Sequence, residues 1–528
     1  MYDLLFKNVV IVDGSGEPRF RGEVAVDGDE IVAVGDDLGE ASEVIDGKGR
    51  VLAPGFIDIH THSDYSLAVD PRGESKVRQG VTLEITGQCG QSAVPLTGED
   101  ALKIAREEMK RAGGSEDIPW RTVDEYARFL EDQGVAPNVG IMIGHGAVRA
   151  SVMGFADRSP TDGELEDMRT LVRQCLEEGA VGMSTGLYYA PGSYADADEI
   201  AAICEVVREM DGLHSSHIRD ESTYNVGLIA ALEEVLEVAR KSGVRTQVSH
   251  LKALGPEVWG KAPELLRMIE GIREEGFDVL ADQYPYVASG SSITGSLVPR
   301  WAQDGGREAL VKRIDDPEVR PKLLEEVRNN LKRRGGADRL QIALYPPENS
   351  YEGKRLSEVA EILGHPPAEA ALELLREAEA SFVCFVMEDA DVDLIMGSEL
   401  VMVGSDGRAV AVDGPTSSGH PHPRYFGTFP RVLGYYCREK GIIDLELAVK
   451  KMTSMPAERL RLEDRGYLRP GYRADLVLFD PDTVRDKATF EDPKQYPVGI
   501  DMVFVNGQAV IADGEHTGAL PGRVIRHG

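Results

Sequence analysis

The first fifty residues alternate apolar and polar positions in short runs, the period of half-buried β-strands. Strands are read at 4–6, 9–12, 23–26, 30–34 and 41–46. Asp13-Gly14, Asp27-Gly28 and Asp46-Gly47 punctuate them, and such dipeptides accept the positive φ of tight hairpin turns. The same alternation returns near the other end, at 474–480 and 502–507. So few short strands make a weak core at either end alone. The two ends, 1–53 and 464–528, are therefore expected to meet in one small β-sandwich domain.

Between them the pattern changes to apolar strand runs alternating with helices whose apolar residues fall three or four apart. Strands are read at 56–59, 82–86, 139–143, 180–183, 213–216, 245–249, 278–281 and 400–403, with helices such as 163–178, 228–241 and 263–275. Eight strands alternating with helices predict an α/β fold, a TIM-like parallel (β/α)8 barrel over 54–463. A doubly wound open sheet is the competitor, but no glycine-rich phosphate loop follows the first strand. The rhythm breaks over 290–398, which holds a charged helical run at 307–334 and two strand-like pieces, 341–344 and 382–387. This stretch reads as an insertion, either a lid over the site or a solvated decoration.

Composition narrows the function. The 528 residues carry 58 basic and 90 acidic side chains, a net charge of −32, which disfavours nucleic acid and anionic membranes as partners. No apolar run approaches the roughly 20 residues of a membrane span, and the first residues show no signal-peptide pattern. Five cysteines at irregular spacings do not form a disulfide framework, which points to a reducing, cytoplasmic setting.

Candidate chemistry sits where a barrel places it, at strand C-terminal ends. His60 and His62 come after the first strand, and their i, i+2 spacing puts both imidazoles on one face. Two such imidazoles are half a site for a borderline cation such as zinc. Cys89 lies after strand two, His145 after strand three, His217 after strand five, His250 after strand six and Asp406 after strand eight. Each has an ordinary reading as well: Cys89 as a buried small hydrophobe, His145 as a hydrogen-bonding neighbour, Asp406 as a turn former in Ser405-Asp406-Gly407. Only 11 histidines exist in the chain, so their convergence on one face favours a metal centre. His214 is expected to point away from His217. Gly182-Met183-Ser184-Thr185-Gly186 spells the nucleophile elbow of serine hydrolases. The next residues, through Tyr188 to Gly192, read as loop rather than helix, which ranks that chemistry below the metal.

The run Ala53-Pro54-Gly55-Phe56-Ile57-Asp58-Ile59-His60-Thr61-His62 resembles the amidohydrolase superfamily. Gly182-Met183-Ser184-Thr185-Gly186, His217-Ile218-Arg219, Ser249-His250-Leu251-Lys252 and His422-Pro423-Arg424 narrow the resemblance to the N-acyl-D-amino-acid deacylases. The resemblance implies zinc-dependent hydrolysis of N-acyl-D-amino acids. It implies a tight zinc site at Cys89, His217 and His250, and a second, weaker one at His60 and His62 with Asp406 close by. Arg424 would anchor the substrate carboxylate, helped by Lys252 and by Tyr284 or Tyr286, although 408–419 is longer than a simple connection. Where many relatives of the superfamily carry a bridging lysine on strand four, this chain has Ser184. Asp406 is the candidate proton shuttle, and Arg219, beside His217, has a supporting place. A cyclic-amide hydrolase of dihydroorotase or hydantoinase type, and a non-catalytic scaffold on the same fold, are the alternatives. Metal count, side-chain preference and oligomeric state stay open.

Overall fold

The computed structural model describes residues 1–527. The eight strands form a parallel barrel: Phe56–Asp58, Val81–Thr86, Asn138–Gly144, Gly182–Gly186, Leu213–His217, Thr246–Val248, Val279–Gln283 and Val401–Val403, each hydrogen-bonded to the next. The inner strands are buried on both faces, as expected of parallel strands sheathed in helices. The seam between the eighth and first strands closes just past their ends, where Asp406 N–H donates to the His60 carbonyl at 2.9 Å and His62 N–H to the Gly407 carbonyl at 2.8 Å. Closure of the barrel and assembly of the site thus use the same residues.

Local sequence explains the helical layer. Thr161 and Thr122 each cap the helix beginning one residue later, with Glu164 and Glu125 returning the capping-box bond, satisfying amides that would otherwise lack partners. Helix Leu228–Ser242 stops at Gly243, whose left-handed backbone ends it without a Cβ penalty.

Strands from both chain ends join one nine-stranded sheet. Phe6 and Phe504 lie three strand positions apart along it, about 14 Å on a flat sheet. Their ring centroids are nevertheless 5.3 Å apart, so the sheet rolls over itself around Leu4, Val24, Leu52 and Leu476. Its other face, with Val51, Ala53, Val477 and Val503, packs on the barrel through Phe56 and Phe429. The last short strand, Val524–Ile525, lies outside this sheet. It pairs in parallel with Asn138–Gly144 of the barrel, so the C-terminal tail differs from the expectation that all of 464–528 belongs to the β domain.

The inserted stretch is a compact unit with its own core of Leu323, Val327, Ile342, Leu372 and Phe382. Ser381–Cys384 is the centre of a three-stranded antiparallel sheet with Ser289–Ser292 and Leu340–Leu344. The charged run is two helices, Gly306–Asp315 and Arg320–Arg333. The unit ends before the expected 398. Helix Asp389–Gly397 returns to the barrel's helical layer, with Asp391 accepting from Gly260 N–H at 2.8 Å and Ile395 in the barrel core.

Candidate active site

Cys89 stands on the tight loop after the second strand. Its Sγ lies 3.3 Å from His60 Nε2 and 3.3 Å from His250 Nε2. Asp406 Oδ1 lies 3.0 Å from His62 Nε2 and 3.8 Å from His60 Nε2. Ligand atoms of His60, Cys89, His250 and Asp406 all fall within 4.8 Å of one another, and His217, Glu221 and His250 form an adjoining group. Cys89, His250 and Asp406 have φ of 55°, 35° and 48°. Non-glycine residues persist in this left-handed region when the surrounding structure holds them there, as it does at functional sites.

Several neighbours fix this arrangement. Asp282, inside the seventh strand, faces His60 Nδ1 at 3.2 Å and accepts from the His250 backbone N–H at 2.8 Å, orienting one imidazole and fixing the backbone that carries the other. Ser184 Oγ donates to the Gly87 carbonyl at 2.5 Å and accepts from Gly90 N–H at 2.9 Å, which holds the cysteine loop from below. A Cβ at Gly186 would collide with the Cys89 carbonyl oxygen. The G-x-S-x-G string therefore packs under the cysteine loop. Ser184 is buried within a strand and no helix comes directly after it, so the elbow geometry is absent.

Electrostatics match the donor set. Burial alone would raise the Cys89 thiol, but the imidazoles of His250 and His60 outweigh it and hold it well below the usual thiol range. Burial would likewise raise the Asp406 carboxyl, yet Arg424, His250 and His62 keep it well below the usual carboxylate range. Burial keeps the His217 imidazole below its ordinary value, and neither of its ring nitrogens has a hydrogen-bond partner among the described residues, Glu221 lying 3.8 Å from Nε2. A buried imidazole with both nitrogens free beside a thiolate fits a zinc ion, which takes neutral imidazole and thiolate sulfur together.

Arg424 Nη1 is 2.9 Å from Asp406 Oδ2, so the guanidinium reaches the site across the long 408–419 connection. His422 Nδ1 accepts from Arg424 N–H at 3.0 Å, while His422 Nε2–H donates to the Ala288 carbonyl at 2.8 Å. Lys252 Nζ sits 2.5 Å from Glu221 Oε1 and 2.7 Å from His250 Nδ1. These groups line a cavity of about 400 Å³. A second cavity of about 170 Å³ shares His62, Cys89 and Tyr189 with it and is walled by Leu96, Ile104 and Phe155.

The two tyrosines expected at the substrate lie behind the cavity wall, each under an arginine guanidinium. Tyr284 is beneath Arg424, the guanidinium 4.6 Å over its ring, and its hydroxyl faces the Met387 sulfur. Tyr286 donates toward the Pro423 carbonyl at 3.5 Å. Neither lines the cavity; Tyr188 and Tyr189 do, with the Tyr188 ring stacked on His217 at 5.6 Å between centroids. Sequence reasoning missed them, together with Asp282 and Glu221. An acidic Asp282 directly after the apolar run at 279–281 was the available signal for the first carboxylate. His145 is engaged by Glu199 at 3.0 Å, and His214 contacts Thr185 Oγ1 at 3.0 Å, burial pushing it down to about 3. Arg219 is spent on Glu234 and the Ser193 and Ala195 carbonyls.

Comparison with known proteins agrees with this geometry. A model of the amidohydrolase family matches residues 43–511. A D-aminoacylase from Alcaligenes xylosoxydans xylosoxydans is 36% identical over 525 residues, 99% of this chain and 97% of that protein. An N-acyl-D-glutamate deacylase from the same organism is also 36% identical, covering 99% of this chain and 96% of that one. The crystal structure of N-acyl-D-glutamate deacylase from Bordetella bronchiseptica, complexed with zinc and a phosphonate mimic of the tetrahedral intermediate, superposes with a TM-score of 0.82 at 34% identity, covering 99% of each chain.

Proposed function

The chain belongs to the amidohydrolase family, and on that premise we propose that it hydrolyses the amide bond of N-acyl-D-amino acids to a carboxylate and a free D-amino acid. It is a metal-dependent hydrolase with zinc as its cofactor. The observation that carries this reading is Cys89 Sγ at 3.3 Å from both His60 and His250, with Asp406 in the same cluster. Cys89, His217 and His250 are assigned to the tight metal position, and His60, His62 and Asp406 to the weaker one. Bound there, zinc supplies Lewis acidity that draws charge from the scissile carbonyl and acidifies water toward a pKa of about 7.

The protein's own groups do the rest. Asp406, ionised against Arg424 and His62, accepts a proton from the attacking water and returns it to the departing nitrogen. Arg424 receives the substrate α-carboxylate on the donors it does not use for Asp406, since a guanidinium can serve two carboxylates. Gly290 leaves room for this, because a Cβ there would stand 3.0 Å from Arg424 Nη2. Lys252, neutralised by Glu221, borders the same space. The apolar second cavity suits the acyl group, and the inserted unit, through Ser289–Ser292, forms part of the roof as a lid.

A cyclic-amide hydrolase reading is disfavoured by the fourth strand, Gly182–Gly186, which carries no lysine. The scaffold reading is disfavoured by the partnerless buried nitrogens of His217, which a scaffold would not retain. All five cysteines are free, in keeping with a reducing cytoplasm, and no described helix is long and apolar enough to cross a membrane. The test is a panel of N-acetyl-D- and N-acetyl-L-amino acids, dihydrouracil and hydantoin on zinc-loaded protein. Turnover confined to the D-series is expected; turnover of the cyclic amides alone would overturn the reading.

A further inference from the structure

We propose that the cavity contains a second anion site, centred on Arg334, which receives an acidic side chain of the substrate D-amino acid. The inference rests on the deacylase reading and specifies its substrate class.

Arg334 closes helix Arg320–Arg333 of the inserted unit, is 2% exposed and lines the same cavity as Arg424, His217 and Lys252. Its Nε donates to the Ser296 carbonyl and its Nη2 to the Tyr188 hydroxyl, both at 2.9 Å. Nη1 is buried and has no partner among the described residues. The guanidinium lies 4.7 Å over the Tyr224 ring. The Tyr224 hydroxyl and, elsewhere in the cavity lining, Ser291 Oγ are also buried without hydrogen-bond partners. Arg334 Nη1 and the hydroxyl of the tyrosine it covers therefore form an incomplete hydrogen-bonding shell, and an anionic acceptor would complete it.

The charge count around the cavity leads to the same place. Lys252 is neutralised by Glu221, Arg424 by Asp406, and Arg408 and Arg111 by Glu108. Arg307 and Lys494 are partly exposed to water. Arg334 is buried, and no carboxylate pairs with it among the described residues. Asp220, on a nearby loop, is occupied by the backbone amides of Ser222, Asn225 and Gly227. A buried guanidinium without a counter-charge is strongly unfavourable, and a ligand carboxylate removes that cost.

Position assigns the anion to one part of the substrate. Tyr188 stacks on His217 and its hydroxyl meets Arg334, so the guanidinium is one tyrosine beyond the metal-binding residues. With the α-carboxylate at Arg424 and the acyl group in the apolar cavity walled by Leu96, Ile104 and Phe155, the amino-acid side chain is the part left to reach Arg334.

The experiment measures kcat/KM of zinc-loaded full-length enzyme on N-acetyl-D-glutamate, its neutral isostere N-acetyl-D-glutamine, N-acetyl-D-leucine and N-succinyl-D-leucine. The wild type should prefer glutamate over glutamine by about tenfold or more, chiefly in KM, the discrimination expected when a buried cation is left unpaired by the neutral analogue. Arg334→Met should bring that ratio to near one, and Arg334→Lys should restore part of it. Should Arg334→Met fail to fold, Tyr224→Phe should lower the ratio. A wild-type ratio near or below one, or a ratio indifferent to these variants, would overturn the assignment. An Arg334-dependent preference for the succinyl over the acetyl group would also overturn it, placing the anion on the acyl half. Failure of the wild type on all four substrates would instead remove the deacylase premise and the assignment with it.

Discussion

Arg424 Nη1 stands 2.9 Å from Asp406 Oδ2, so the proposed substrate anchor and the proposed proton shuttle share one ion pair. A substrate carboxylate arriving at Arg424 therefore draws on the charge that keeps Asp406 ionised. Binding and proton transfer are coupled through a single guanidinium. Arg424→Ala should accordingly change kcat as well as KM, with kcat/KM falling by roughly 10²-fold, the usual cost of truncating one partner of a buried charge pair. A pure KM effect would show that the two functions are separate.

Asp406→Asn isolates the proton shuttle. The amide keeps the shape of the carboxylate and cannot take a proton, so kcat should fall by about 10²–10⁴-fold while zinc content stays near that of the wild type. Metal analysis beside steady-state kinetics decides this. Loss of the tightly bound zinc in the variant would make Asp406 a structural ligand instead.

The barrel was legible because several of its strands are buried on both faces and so carry apolar runs, as at 139–143 within Asn138–Gly144. The clustering of His60, Cys89, His250 and Asp406 was legible because a barrel puts strand ends on one face and few other histidines compete. Their surroundings were not. Glu221 and Tyr188 enter the site through loops whose path depends on tertiary contacts, and no local period marks them. Tyr284 stands at a strand end as expected of a site residue, and packing sets its ring beneath Arg424 rather than on the cavity wall. Ser184 shows the converse: its motif spells a nucleophile, but its hydroxyl is used up by Gly87 and Gly90.

Ser184→Ala tests that contrast. Removing the hydroxyl loosens the loop that carries Cys89, which should weaken zinc affinity by about 10–100-fold, the usual effect of losing a group that orients a ligand. Activity should return when zinc is raised. A kcat loss of the order of 10⁶ that excess zinc does not relieve would be the mark of a catalytic serine.

A buried charge cluster beneath the site makes stability depend on pH. Lys76 Nζ lies 2.8 Å from Asp58 Oδ2 and 3.9 Å from Glu84 Oε2, and burial, opposed by Lys76, raises the Glu84 carboxyl from 4.5 to about 7. Between those two values the folded chain keeps a proton that the unfolded chain has lost. This contribution is complete below pH 4.5, and it declines as pH rises and is gone above about 7. Glu84→Gln should therefore gain denaturation stability over the wild type at pH 8 relative to pH 5, by at most about 3 kcal/mol. An equal pH response in both proteins would show that Glu84 does not titrate in this window.

The central claim, that Cys89, His217 and His250 hold a tightly bound zinc, is tested most directly by X-ray absorption at the zinc edge of the purified enzyme. The account predicts a sulfur scatterer at about 2.3 Å beside nitrogen and oxygen at about 2.0–2.2 Å, with the sulfur shell lost in Cys89→Ser. A wild-type spectrum with nitrogen and oxygen alone would contradict it.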